Sequence, residues 1–209
     1  MTDSEEETVR FTAPADTPPR PSVDAFLSAV DRSMNSNTLL LEFAAETPLT
    51  QDNRQCVLRA FLRSGLFEEL LRAADRLRGW YNLSEHRGGD EEERALPRAG
   101  FRAAIRPLDG PGLLARLEWM LCRAPGPGRR HCSEADARRL VRSAVHELLG
   151  ADPCAWQFGS VEPDFLRSSG YFSGEEPLRP VYFDGGDADT ATLLHHDRIC
   201  CLLLTNGSP

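Results

Sequence analysis

Apolar residues recur at every third or fourth position through much of residues 22–150, a spacing typical of amphipathic helices. The pattern predicts helices that begin at Ser22, at Asn37 or Thr38, at Thr50, at Leu66, at Leu113 and at Ser133. Very short turns separate the first four, and short turns favour antiparallel neighbours. We therefore predict a compact helical bundle over residues 22–150.

The two ends of the chain break this periodicity. Residues 1–21 are acidic and then proline-rich, with too few apolar side chains to offset the entropy lost on ordering, so we predict a disordered tail. After residue 150, two β-like runs at 180–183 and 198–205 predict a strand pair. The predicted fold class is mainly α, with a small C-terminal subdomain (151–209) that contains a β-hairpin and packs on the bundle.

The most regular helix begins at Ser133, which forms a variant capping box with Asp136. Opposite its apolar face lie three arginines, Arg138, Arg139 and Arg142. Arginine is permanently charged and binds carboxylates through two parallel N–H groups. This face is therefore a candidate docking surface for an acidic partner, and the alternative is an ordinary solvated surface of mixed charge.

The helix from Leu66 carries the most specific motif in the chain. It combines apolar positions, a small residue and an aspartate, namely Leu66, Leu70, Ala73, Leu77, Ala74 and Asp75. This arrangement resembles the BH3 segment of the Bcl-2 family. The resemblance implies that the apolar side chains enter a groove on the partner and that Asp75 pairs with a groove arginine. The alternative is that Leu70 and Leu77 face the core of the bundle.

The composition narrows the choice of function. All 24 basic side chains are arginine and none is lysine, although lysine is normally among the commonest residues. Codon bias in a GC-rich genome explains this, and selection against the ε-amines that accept ubiquitin is the alternative. The formal charge of −8 excludes a general nucleic-acid binder, which must neutralise phosphates.

Other bulk features concern the compartment. The sequence has no apolar run near the length that a membrane span needs. Its start, Met1–Glu7, is acidic where a signal peptide is basic and then apolar. Six scattered cysteines are typical of reduced thiols. We therefore expect a cytoplasmic protein, with the nucleus left open.

The sequence offers no motif for catalysis. A nucleophile elbow, a phosphate loop and a dinucleotide fingerprint are all missing from it. His195, His196, Cys200 and Cys201 are residue types that bind zinc, but no Cys-x-x-Cys pair or fixed histidine spacing supports a site. We expect neither a cofactor nor enzymatic activity.

Together these features predict a non-enzymatic, virus-encoded protein that sequesters a host signalling protein of apoptosis or innate immunity through a helical surface. The expected partner is Bcl-2-like or an innate-immune adaptor, and a homodimer is left open. Two other hypotheses remain. One is a cytosolic enzyme or metal-binding protein of a GC-rich bacterium that uses residues 195–201, and the other is a structural component of a virion or its tegument.

Overall fold

A six-stranded antiparallel sheet forms the centre of the protein, with helices on both faces. The computed structural model describes residues 9–14, 18–34, 36–78, 104–123, 132–162 and 189–207. The strands are β1 (Phe11–Thr12), β2 (Ser36–Ala45), β3 (Ala104–Leu108), β4 (Gln157–Glu162), β5 (Asp189–His196) and β6 (Ile199–Gly207). Their order across the sheet is β1-β2-β6-β5-β4-β3, and each neighbouring pair is antiparallel.

Five helices cover the two faces of this sheet in the described residues. They are α1 (Pro21–Met34), α2 (Arg54–Leu62), α3 (Gly65–Arg78), α4 (Gly110–Cys122) and α5 (Glu134–Leu149), with a short 3-10 turn at Pro153–Ala155. Helices α1, α4 and α5 pack in one apolar cluster with the sheet. Helices α2 and α3 pack in a second cluster on the opposite face. The molecule therefore has three layers, helix on sheet on helix.

The prediction of a mainly α fold with a peripheral hairpin is wrong. The described residues contain a mixed α/β architecture in which the sheet, and not a helical bundle, supplies the common centre. The error begins at residues 37–44, where a second helix was predicted and β2 is found. Leu39, Leu41 and Phe43 pack toward α2 and α3, whereas Leu40 packs toward the other layer. A strand buried on both faces reads as a continuous apolar run, which periodicity alone does not separate from a helix.

The C-terminal strands are central and not peripheral. The predicted strand at 198–205 is confirmed as β6, which pairs along its whole length with β2 on one side and β5 on the other. Its hairpin partner is Asp189–His196, joined through Asp197 and Arg198. Asp197 has a φ of 50°, a left-handed conformation that short polar residues tolerate. The run at 180–183 lies outside the described residues.

The other five predicted helices are confirmed, although α2 begins at Arg54 and not at Thr50 and has no side-chain cap. Ser133 Oγ accepts the Asp136 N–H at 3.1 Å, as the capping box predicts. Helix α1 begins at Pro21, one residue before the predicted start at Ser22, and its cap comes from another helix. Glu147 of α5 accepts the N–H groups of Ser22 and Val23 at 2.8 and 2.9 Å. A carboxylate there also complements the positive end of the helix dipole, so this contact joins α5 to the start of α1.

The cluster beneath α2 and α3 centres on aromatic rings. Phe43 and Phe61 stack with ring centroids 3.5 Å apart. Phe11 and Phe67 each meet Phe61 edge-on at 5.4 Å, an arrangement that aromatic quadrupoles favour. Phe11 belongs to the segment predicted to be disordered, and its ring fixes β1 against the end of β2.

Candidate functional site

The edge of β2 is covered over only part of its length. Strand β1 pairs with Ala44 and Ala45, and no described strand pairs with the rest of that edge. The Ala45 N–H bonds to Arg198 O on the β6 side. Backbone groups alternate sides along a strand, so those of Leu41 also point to β6 and those of Leu40 point away from it. The outer edge of β2 therefore turns backbone donors and acceptors away from the sheet.

A cleft of about 480 Å³ lies along this edge. We call it the β2 cleft and define it by its floor, its two helical walls and the proline-rich segment at one end. The floor is Thr38, Leu39, Leu40, Leu41 and Glu42; the walls are Val23, Asp24 and Leu27 of α1 and Leu70, Ala73 and Ala74 of α3; the end is Ala13, Pro14, Pro18, Pro19 and Arg20. Most of these side chains are apolar. The cleft is suited to apolar side chains carried on an extended backbone.

The proline-rich end of the cleft explains why β1 is so short. Proline lacks an N–H group and cannot continue a ladder, and Pro14 follows β1 after a single residue. Arg20 then forms an ion pair with Glu42 of β2, in which both side chains are largely shielded from solvent. The chain is thus held beside the strand without completing its hydrogen bonding.

The structure places the BH3-like residues on α3 but assigns its deepest core contacts to other positions. Among the described side chains of this helix, Phe67 and Leu71 are the buried ones, with exposures of 3 % and 0 %. Leu66, Leu70 and Ala74 are half-buried and pack against the same cluster. Leu70 and Ala74 also line the β2 cleft, with the exposed Ala73 beside them. The side chains of Asp75 and Leu77 lie outside the described residues.

The arginine face of α5 is exposed, as predicted, but it stands apart from the β2 cleft. Arg139 pairs with Asp136 at 2.8 Å, and Arg138 lies 3.9 Å from Glu118. Arg142 is exposed on the same helix. None of these arginines lines the cleft. Neighbouring carboxylates partly neutralise this surface, which weakens its claim as a docking site for an acidic partner.

The histidines and cysteines near the C-terminus do not form a reactive group. His195 and Cys200 lie opposite each other on β5 and β6, but burial and the nearby Arg54 cation lower the pKa of His195 to about 4. Burial raises the pKa of the Cys200 thiol to about 12. A thiol is nucleophilic as its thiolate, so this pair is held in its two unreactive neutral forms.

The geometry gives no support to the zinc alternative. Cys200 packs in the cluster with α2 and α3, and Cys201 packs in the cluster with α1, α4 and α5. Their thiols therefore lie on opposite faces of the sheet. In the part of the chain that the structure describes, no three histidine, cysteine or acidic side chains are grouped to share a metal ion. None of the described helices is long and apolar enough to span a membrane.

Sequence reasoning named the α3 wall, since Leu70 and Ala74 belong to the BH3-like motif, but it missed the α1 wall and the floor of the β2 cleft. The available signal was the series Pro14, Pro18 and Pro19 ahead of a strongly apolar run, because prolines often lie beside an exposed strand edge. Because the apolar run at residues 37–44 is predicted to be helical from its sequence, the prolines are not recognised there as protection of a strand edge. Comparison with known proteins adds nothing here, since no family model, curated protein or solved structure matches the chain.

Proposed function

We propose that this protein is a non-catalytic, virus-encoded binding protein that captures an extended segment of a host signalling protein in the β2 cleft. The observation that carries the proposal is the edge of β2, which the described strands pair with only at Ala44 and Ala45, at the floor of a cleft with apolar walls. A strand edge offers main-chain hydrogen bonds to any extended peptide, and flanking pockets select its side chains. The host pathway proposed is apoptosis or innate-immune signalling.

The two walls suit the alternating side chains of an added strand. Successive side chains of an extended segment point to opposite faces of a sheet. One set would therefore meet Val23 and Leu27 of α1, and the other would meet Leu70 and Ala74 of α3. The favoured partner segment is apolar at alternate positions and carries no proline where it faces β2. Its affinity would come from buried apolar area together with backbone pairing.

This proposal gives the BH3-like helix the role of a wall and not of a ligand. Insertion of α3 into the groove of a Bcl-2-type protein stays a prediction, and it requires α3 to release Phe67 and Leu71 from the core. Such release exposes two large apolar side chains, at a cost of several kcal/mol. Binding of an extended segment in the β2 cleft needs no such rearrangement, so we favour this function over insertion of α3 into a partner.

The test is a charge placed in the cleft without disturbing the core. Ala73 is exposed and lines the cleft, so Ala73→Glu leaves the apolar clusters intact. Ala115 is an exposed alanine on α4, and Ala115→Glu makes the matched control. Peptides are selected from a random library on the wild-type protein, and their affinities for the three proteins are measured by fluorescence anisotropy. Circular dichroism checks that each variant is folded.

We expect the selected peptides to bind wild type and Ala115→Glu equally and to lose about tenfold or more in affinity for Ala73→Glu. A buried, unpaired carboxylate costs at least this much. Equal binding to all three proteins contradicts the proposal. So does a selection that yields no peptide, or peptides whose binding is abolished instead by reversing the charges of Arg138, Arg139 and Arg142.

A further inference from the structure

Arg54, the first residue of α2, is a buried cation that forms no ion pair with a carboxylate among the described residues. Its exposure is only 6 %, whereas arginines are rarely buried unless they are paired. No described residue forms an ion pair or a side-chain hydrogen bond with its guanidinium. Its position is also unusual, because a positive charge at the start of a helix opposes the helix dipole. An anion bound beside it would remove both penalties.

The start of α2 has no side-chain cap on its first turn. Asn53 occupies the cap position, but its side chain makes no capping bond to the helix. Its Oδ1 instead accepts the Thr50 N–H at 2.8 Å, and its Nδ2 donates to Pro48 O at 3.0 Å. Thr50 in turn accepts the Arg54 N–H through its carbonyl oxygen at 3.1 Å and the Asn53 N–H through Oγ1 at 3.3 Å. Arg54 is the only residue of α2 that lines the adjacent cavity, and because its backbone N–H is already bonded, it offers its guanidinium there.

Arg54 lines a small cavity of about 230 Å³ at this end of the sheet. Its other lining residues are Gln51, Pro107, Leu108, Asp109, Gly110, Trp156, Gln157 and Phe158. The two glutamines supply neutral amide donors. Asp109 is the one carboxylate in this lining, and its Oδ1 is already bonded to the Gly112 N–H at 2.7 Å, where it caps α4. The exposed Gln51, Gly110 and Gln157 lie at the rim, so the cavity is reached from solvent.

We propose that this cavity binds a phosphate-type oxyanion, held by the guanidinium of Arg54 with the side-chain amides of Gln51 and Gln157. A guanidinium donates two parallel N–H groups to a phosphate, and each glutamine adds a neutral N–H donor. The volume accommodates a single phosphate group with a short substituent. The ligand is either free phosphate or the phosphate of a modified side chain on a bound protein. The site shares no residue with the β2 cleft, so the two proposals stand independently.

The experiment compares phosphate binding by wild type, Arg54→Gln and Arg63→Gln. Arg63 follows the same helix and is exposed, so its variant has the same charge change away from the cavity. Thermal unfolding is recorded with inorganic phosphate and with chloride at equal ionic strength. Titration calorimetry then gives the affinities. A short phosphoserine peptide and its unphosphorylated form make the second arm of the titration, which distinguishes the two sources of phosphate.

We expect phosphate to raise the unfolding temperature of wild type and Arg63→Gln and to leave that of Arg54→Gln unchanged. Titration calorimetry should show that Arg54→Gln binds phosphate about tenfold or more weakly than wild type does. Tighter binding of the phosphopeptide than of inorganic phosphate assigns the site to a modified side chain, and the reverse order assigns it to the free ion. If wild type shows no specific response to either probe, or all three proteins respond alike, the proposal is wrong. Removing a buried unpaired charge should not unfold the protein. If Arg54→Gln nevertheless fails to fold, Arg54→Lys takes its place. This variant keeps the positive charge but loses the two parallel N–H donors, so it must bind phosphate more weakly than wild type does.

Discussion

At the scale of single residues, burial decides which side chains are available for chemistry. Histidine is a residue type that often acts in catalysis or binds metals. The side chain of His195, however, is only 1 % exposed, and its Nε2 has no hydrogen-bond partner among the described residues. His196 beside it is exposed and bonds to Ala155 O through Nδ1 at 3.1 Å. Adjacent residues of a strand point to opposite faces. His195 therefore lies in the core, whereas His196 reaches the surface.

The buried His195 predicts how stability depends on pH. Its pKa falls from 6.5 to about 4, chiefly because burial penalises the imidazolium. Below pH 6.5 the unfolded chain binds a proton that the native state does not accept until about pH 4. The free energy of unfolding therefore decreases as the pH falls through this window, by up to about 3 kcal/mol from this group.

Urea unfolding of His195→Leu between pH 7 and pH 4.5 checks this effect. We expect the variant to lose distinctly less stability across the window than the wild type does. His146 is exposed on α5, so His146→Leu should follow the wild-type profile. Parallel curves for wild type and His195→Leu would show that His195 is not held neutral by its surroundings.

At the scale of elements, local signals predicted the helices well because their caps are local. Ser133 with Asp136, and Gly150 at φ 69° after α5, mark the ends of that helix within its own sequence. The cap of α1 was not predictable in this way. Glu147 lies 124 residues from Val23 along the chain, and only the fold brings the two together.

The sheet was not predicted because most of its strands pair with segments that are distant in the sequence. Residues 39–41 are three consecutive leucines, and only the helices on both faces explain why all three are apolar. Strand β4 contains Gly159, where a Cβ atom would overlap with Ile105 Cγ2. A glycine there permits the close approach of β3, although in the sequence it reads as a strand breaker. The β2 cleft is built from β2, α1 and α3. Local sequence patterns do not show that these three elements come together, so the cleft as a whole could not be predicted from them.

Helix α3 predicts a contrast between two adjacent leucines. Leu71 is fully buried, whereas Leu70 is half-buried at the wall of the cleft. Leu71→Ala should therefore cost about 3 kcal/mol of unfolding free energy, and Leu70→Ala about 1 kcal/mol. Chemical denaturation measures both. The opposite ranking would mean that the BH3-like stripe, and not the Phe67–Leu71 stripe, faces the core.

At the scale of the whole molecule, the three layers leave one long strand edge that the described elements cover only in part. The edge strand on the far side is β3, with only five residues, while β2 has ten residues and β1 only two. Open strand edges are otherwise prone to aggregation, and proteins protect them with prolines and charges. Here Pro14, Pro18 and Pro19, together with the Arg20–Glu42 ion pair, protect the edge without filling the cleft.

The lysine-free composition fits a molecule whose surface charge is carried by arginine and acidic residues alone. A net charge of −8 disfavours self-association through the open edge by mutual repulsion. An apolar partner segment is not repelled in this way. The charge balance thus favours a single partner strand over a second copy of the chain.

Amide hydrogen exchange at β2 tests the central claim most directly. In the free protein the Leu40 N–H points into the cleft and the Leu41 N–H bonds to β6, so Leu40 should exchange at least about tenfold faster. Adding the tightest peptide from the library selection should slow Leu40 to the rate of Leu41. A Leu40 amide that is equally slow without peptide, or equally fast with it, contradicts capture of a partner strand at this edge.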